Sequence, residues 1–202
     1  MKNRYGIDIW SDDNFFIEDG VVKVNYKPYP SLIKIVKDVR KQGFKGPLLL
    51  RFPHITKKQV KTLFNTFNAS IKEYDYKGKF NAVFPLKVNQ LPNFIHPLVA
   101  AGKKYNYGLE AGSKAELVIA MTYNNMGSPI TINGFKDKEM IHLCFIAKSM
   151  GHDITVIIEG LNELEMILEV LKETKMEAPN VGLRVRLHSG GSGVWAKSGG
   201  ID

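Results

Sequence analysis

The sequence predicts an α/β chain in which short buried strands alternate with amphipathic helices, behind a leading segment of β-structure. Three observations carry the prediction. Apolar runs begin near Ala82, Asn106, Ile130, Thr155 and Val181, a repeat of roughly 25 residues with a helical pattern in each gap. Helix-capping signals fall inside those gaps: Ser113 with Glu116, Asp137 ahead of Met140, and Asn162 with Glu165 beside a Leu161 to Met166 staple. Ahead of them, Ile7 to Val24 alternates in polarity around a hairpin-like turn at Glu18, Asp19 and Gly20.

Each element follows from local chemistry. Pro28 and Pro30 break the chain, and Ser31 then caps a helix whose apolar positions Leu32, Ile35, Val36 and Val39 recur at helical spacing until Gly43 stops it. PLLLRF, from Pro47 to Phe52, reads as another short buried strand. From Ile55 the period changes, and Val60, Leu63, Phe64, Phe67, Ile71 and Tyr74 form one stripe along a helix of about five turns. That helix feeds NAVFPLKVNQ, Asn81 to Gln90, a run apolar enough to be a strand buried on both faces. The expected division is a leading β segment over 1–53 and a β/α array over 54–202.

Composition excludes several classes. A chain of 202 residues with 44% hydrophobic content can bury a sizeable core as one domain or two small ones. No apolar run approaches the length that spans a bilayer, and the start, MKNRYGIDIW, lacks the apolar core of a secretion signal. A cytoplasmic location is the expectation, without membrane association. The net charge of +8 is spread along helical faces, as at Lys34, Lys37, Lys41, Lys57, Lys58, Lys61, Lys103 and Lys104, and no nucleic-acid motif accompanies it. Nucleic acid is therefore not an expected partner. The single cysteine, Cys144, lies in a helical pattern and reads as a buried core thiol.

Lys87 is the candidate that carries chemistry, because it sits where the Ala82 to Lys87 run turns polar. A lysine desolvated by an apolar wall can form a Schiff base with a carbonyl compound. The bland alternative is a snorkelling lysine with its head in water. VFPLKVNQ resembles the cofactor-lysine strand of the bacterial biosynthetic arginine decarboxylases, which are pyridoxal phosphate enzymes of the alanine racemase-like fold type III. YGLEAGSKAEL (Tyr107 to Leu117), INGFKDKEMI (Ile132 to Ile141) and VRLHSGGSGVWAKSGG (Val185 to Gly200) are similar to further blocks of that family in the same order. The resemblance implies a partial (β/α)8 TIM-type barrel holding about five of eight strands, with residues 1–53 belonging to a second, β domain.

For function it implies a carboxy-lyase that converts L-arginine to agmatine, the first step towards putrescine and spermidine, with pyridoxal phosphate held on Lys87. Glu110 is then placed at the cofactor's polar edge or beside Lys87, or else is a rim carboxylate in water. Arg184 aligns with the fifth-strand arginine of related decarboxylases, Arg186 shares its face, and Glu110 with Arg184 is expected to form a coupled pair. Glu116 reads chiefly as a helix-cap partner. His188 invites an acid-base role, while SGGSG at Ser189 to Gly193 reads as a mobile loop at the barrel mouth or a phosphate nest, with Trp195 folding over substrate. Because β/α connections put strand ends and helix starts on one rim, Lys87, Glu110, Asn133, Glu159 and the loop after Leu187 are expected to face one mouth.

The family also implies a homo-oligomer for the whole protein and an association with magnesium, for which the sequence shows no ligand cluster. A closed barrel needs eight strands and about 250 residues, so the chain reads as an N-terminal portion, inactive by itself. The alternatives are a diaminopimelate or ornithine decarboxylase of the same fold, or a non-catalytic fragment.

Overall fold

The computed structural model describes residues 6–185. The chain divides into two compact units, with the boundary between Gln59 and Val60 inside one long helix.

The first unit opens with a helical turn, α1 (Ile7–Trp10), where alternation predicted β-structure. Gly6 takes the left-handed backbone at φ 61, and its carbonyl accepts the Ile9 N–H at 2.9 Å, which starts a turn rather than a strand. The predicted hairpin follows. β1 (Phe15–Glu18) and β2 (Val21–Val24) pair antiparallel with Glu18 opposite Val21 across the Asp19-Gly20 turn. Ser31 caps α2 (Leu32–Lys41) by accepting the Lys34 N–H, and Gly43 lies beyond its end at φ 94.

Pro47 to Phe52 is not the strand expected from its apolar run. An extended segment becomes a strand only if a neighbour completes its backbone ladder; among the described residues none pairs with it, and Leu49 stays 75% exposed. Pro53 then opens α3 (Pro53–Glu73), where a missing N–H costs nothing because the first helical amides have no intrahelical partner.

The second unit is the predicted β/α array. Its strands are β3 (Val83–Pro85), β4 (Gly108–Ala111), β5 (Pro129–Ile132), β6 (Asp153–Ile158) and β7 (Asn180–Leu183). They lie in the order β3-β4-β5-β6-β7, each parallel to the next. Between them run α4 (Pro92–Gly102), α5 (Lys114–Tyr123), α6 (Lys138–Ser149) and α7 (Leu161–Thr174). This is a parallel sheet of a partial β/α barrel, with β3 and β7 as its edges among the described residues.

Strand alternation sorts the two faces. Leu109, Ala111, Ile130, Ile132, Ile154 and Val156 are buried in one core with Leu117, Ile141, Cys144, Phe145 and Val170 of the helices. Glu110, Thr131, Thr155 and Ile157 take the opposite positions and are only half-buried. Of the α3 stripe, Val60 and Phe64 are buried, and Phe64 stacks on Tyr105 with ring centroids 4.6 Å apart. Phe67 is 46% exposed but lies flat against Phe80 at 3.8 Å.

Two predictions follow from this packing. A Cβ at Gly108 would sit 1.8 Å from the Pro129 carbonyl oxygen, a backbone atom that cannot swing aside. Gly108→Ala should lower stability by about 3 kcal/mol in urea unfolding, and a loss within experimental error would contradict this β4–β5 contact. Burial pushes the Cys144 thiol up to about 12. A thiol reagent at neutral pH should therefore leave the folded protein unlabelled and titrate one thiol only on unfolding.

Candidate active site

The C-terminal ends of the five strands surround a cavity of about 820 Å³, whose lining includes Lys87, Glu110, Glu116, Thr131, Asn133 and Arg184. Three of the residues expected at one mouth, Lys87, Glu110 and Asn133, are thus brought together. Lys87 lies in a single 3-10 turn, Leu86–Val88, directly after β3. It is exposed, and β3 is half-buried instead of covered on both faces. Among the described residues β3 is a three-residue edge strand with β4 as its one sheet neighbour, so no second strand flanks the turn that carries the amine.

Glu110 is half-buried on β4, and Pro85, two residues before Lys87, is its partner in the ladder. Arg184 follows β7 and anchors its own N–H on the Ile158 carbonyl at 3.0 Å. Its guanidinium Nη1 donates to Glu159 Oε1 at 3.3 Å, and the expected pairing with Glu110 does not form. Sheet order explains the correction. Glu110 lies on β4 and Arg184 just past β7, with β5 and β6 between those strands, roughly 14 Å of sheet, whereas Glu159 directly follows β6, the strand beside β7. Among the described residues Glu110 has no ion pair. Glu159 also accepts the Gly134 N–H at 3.2 Å, so it bridges two loops of the mouth.

Glu116 is buried at the start of α5, where Ser113 Oγ accepts its N–H at 3.2 Å. Its carboxylate reaches back one residue further than a reciprocal capping box requires, accepting the Gly112 N–H at 2.7 Å and the Gln90 side-chain amide at 3.0 Å. Asp137 caps α6 as predicted, accepting the Met140 N–H at 2.8 Å. Lys114 also donates to Asp137, at 2.8 Å, and this bond holds the Asp137 carboxyl below its ordinary range. Asn162 does not cap α7. The helix begins at Leu161 behind Gly160, which leaves Leu161 79% exposed and the staple unmade.

That register puts Glu163 in the first turn, and Lys136, fully buried, donates to its two carboxylate oxygens at 3.1 and 3.0 Å. Sequence reasoning missed this pair. Lys136 sits inside the INGFKDKEMI block, followed by Asp137 and Lys138, and Glu163 three residues beyond Gly160, and charged residues in such polar stretches read as a solvated face.

Arg186, His188, Ser189 to Gly193 and Trp195 lie outside the described residues. Among the described residues no group of three or more His, Cys, Asp or Glu could hold a metal ion, so the magnesium implied by the resemblance has no candidate ligand set there. Nor is any helix among them long and apolar enough to cross a membrane.

A parallel β/α sheet with a lysine after its first strand and an acid on its second is the architecture of part of a β/α barrel. A crystal structure of diaminopimelate decarboxylase from M. jannaschi shares the fold with a TM-score of 0.64, covering 88% of this chain and 37% of that one at 24% identity. More specifically, the chain is similar to the biosynthetic arginine decarboxylases. The crystal structure of that protein from Campylobacter jejuni is 60% identical with a TM-score of 0.88, over 92% of this chain and 31% of that one. Curated relatives of the same name from Citrifermentans bemidjiense and Tolumonas auensis are 41% and 37% identical over 98% and 97% of this chain, in each case 32% of the relative. The chain therefore spans about a third of the length of the curated relatives it matches. No protein-family model matches it.

The Arg184 and Glu159 side chains are 64% and 36% exposed. A double-mutant cycle on them should give a coupling of about 0–1 kcal/mol, and the same cycle on Glu110 and Arg184 should give none within error. A large Glu110–Arg184 coupling would contradict the arrangement described.

Proposed function

We propose that this chain supplies the Lys87-bearing part of an enzyme that decarboxylates L-arginine to agmatine with pyridoxal phosphate, feeding putrescine and spermidine synthesis. The observation that carries the reading is the exposed Lys87 amine, at the strand-end mouth of a parallel β/α sheet with Glu110 on the neighbouring strand. The similarity to biosynthetic arginine decarboxylases over nearly the whole chain supports it.

The residues present suit the cofactor. A reachable primary amine can bond an aldehyde carbon, and the 820 Å³ cavity beside it offers a carboxylate at Glu110 and a guanidinium at Arg184. Lys87 would hold the cofactor through Nζ and take it back when product leaves. Glu110 would accept hydrogen bonds from polar groups of the bound molecule, and Arg184 would face anionic groups, its guanidinium steered by Glu159. The chemistry such a conjugated ring supplies when bound is a place for the electron pair released as carbon dioxide departs.

Catalysis by groups that act together collapses when part of the set is missing. Because the chain spans about a third of its relatives, we propose that it does not turn over arginine unaided. In this reading residues 1–53 belong to a second, β domain, residues 54–202 are the incomplete cofactor-binding barrel, and the whole protein assembles as a homo-oligomer.

The test has two arms. Borohydride treatment of the protein with pyridoxal phosphate should fix a pyridoxyl group on Lys87, located by peptide mass mapping, and Lys87→Ala should lose it. A label placed only on other lysines would remove Lys87 from the proposal. Agmatine and carbon dioxide should form from arginine when the chain is mixed with a polypeptide covering the rest of the Campylobacter jejuni relative, and not with the chain alone. Preferential release of carbon dioxide from ornithine or diaminopimelate would reassign the substrate.

A further inference from the structure

The Lys136–Glu163 pair lies outside the lining of the cavity, and the proposed chemistry makes no use of it. Lys136 is 1% exposed and Glu163 5%. A buried ion pair is often no more stabilising than apolar side chains of similar shape, so what distinguishes this one is the set of bonds around it. Lys136 Nζ also donates to the Gly134 carbonyl. Glu163 Oε2 accepts the Glu159 N–H at 2.9 Å. Gly134, at φ +73, gives its own N–H to Glu159 Oε1 at 3.2 Å, and the same oxygen receives the Arg184 guanidinium at 3.3 Å. The loop after β5 and the loop after β6 are thus closed into one ring of hydrogen bonds, and Arg184 is its outermost member.

We propose that Lys136 and Glu163 are positioning residues, which hold these two loops so that Glu159 presents the Arg184 guanidinium to the cavity. The proposal rests on the reading of that cavity as the cofactor site. Neither residue touches a ligand in this account. Without the clamp the Gly134 carbonyl and the Glu159 amide lose their partners, and the oxygen that orients Arg184 drifts with its loop.

The test uses the 202-residue chain and the double variant Lys136→Met/Glu163→Met, which removes both charges together and leaves neither the Gly134 carbonyl nor the Glu159 N–H its side-chain partner. Lys138→Met, which breaks a surface pair with Glu169 and Glu173, is the control. In hydrogen exchange read by mass spectrometry, peptides over 133–136 and 159–163 should exchange at least about tenfold faster in the double variant, with the β4 and β5 peptides unchanged. In a pyridoxal phosphate titration followed by the imine absorption band, the midpoint should rise at least about fivefold while the band at saturation keeps its height, since Lys87 is untouched. The control should move neither readout.

Exchange in the two loops equal to the unsubstituted protein, or faster exchange spread equally through the strands, would overturn the proposal. So would an unshifted midpoint in a variant whose loops have loosened. If the double variant does not fold, Lys136→Met alone, which takes the cation from Glu163 and the donor from the Gly134 carbonyl, carries the same expectations. No imine band in the unsubstituted protein would count against the cofactor reading, and the exchange arm, which needs no ligand, would still decide whether the clamp exists.

Discussion

Parallel pairing is the constraint on which the second unit depends. Two parallel neighbours cannot be joined by a tight turn, so the chain must cross back through a helix before each new strand, and every strand then ends on the same rim. Four consecutive parallel pairings, from β3 to β7, therefore bring the turn after Val83–Pro85 and the ends of the later strands to one mouth. Nothing about Lys87 or Arg184 individually brings them there. The same constraint makes the helix N-termini and their orphan N–H groups crowd the rim.

Amides in and just ahead of those helix starts are satisfied by a repeated device. An acid in or just before the first turn of each helix from α5 to α7 accepts a backbone N–H: Glu116 from Gly112, Asp137 from Met140, Glu163 from Glu159. Each of these acids also receives a side chain from the preceding β/α unit, Gln90, Lys114 and Lys136 in turn. Successive loops are thus laced to one another as well as to their own helices. Burial grades the links. Lys114 and Asp137 are 42% and 47% exposed, so water competes for their pairing, while Lys136 and Glu163 are out of water and each is costly to strand. The rim is most firmly fixed at the β5 and β6 loops.

Much of this was legible because burial leaves a periodic trace. The apolar starts near Ile130, Thr155 and Val181 fall within about two residues of Pro129, Asp153 and Asn180, and the Ser31, Ser113 and Asp137 caps stand where local chemistry put them. Periodicity fails where structure depends on what lies alongside. Pro47 to Phe52 is apolar enough for a strand but has no ladder to join. Asn162 has capping chemistry, yet Gly160, two residues earlier, already takes the extended backbone that opens the helix. Pairing across the sheet is hidden for the same reason: only strand order decides whether Arg184 meets Glu110 or Glu159. Lys136 was the least legible residue, since its burial is produced by a partner 27 positions away.

The exposure of Lys87 changes how its reactivity must be understood. A lysine sealed in an apolar wall would be predisposed by its own strand, and the half-buried edge strand β3 supplies no such wall. Under the proposed function, selectivity among the many lysines of this chain has to come from what surrounds the amine when a ligand lies in the cavity. Leu86, fully buried beside Lys87, anchors the turn in the core, and Gln90, bonded to Glu116, fixes the chain three residues further on. The amine is therefore free at its tip and held at both ends of its backbone. Such a group can be reached by an aldehyde and still be found at one place, which is the combination that covalent attachment requires. Other exposed lysines of the second unit, such as Lys61 and Lys72, do not line the cavity that Lys87 shares with Glu110 and Arg184. Position on the rim, more than a desolvated amine, is what sets Lys87 apart.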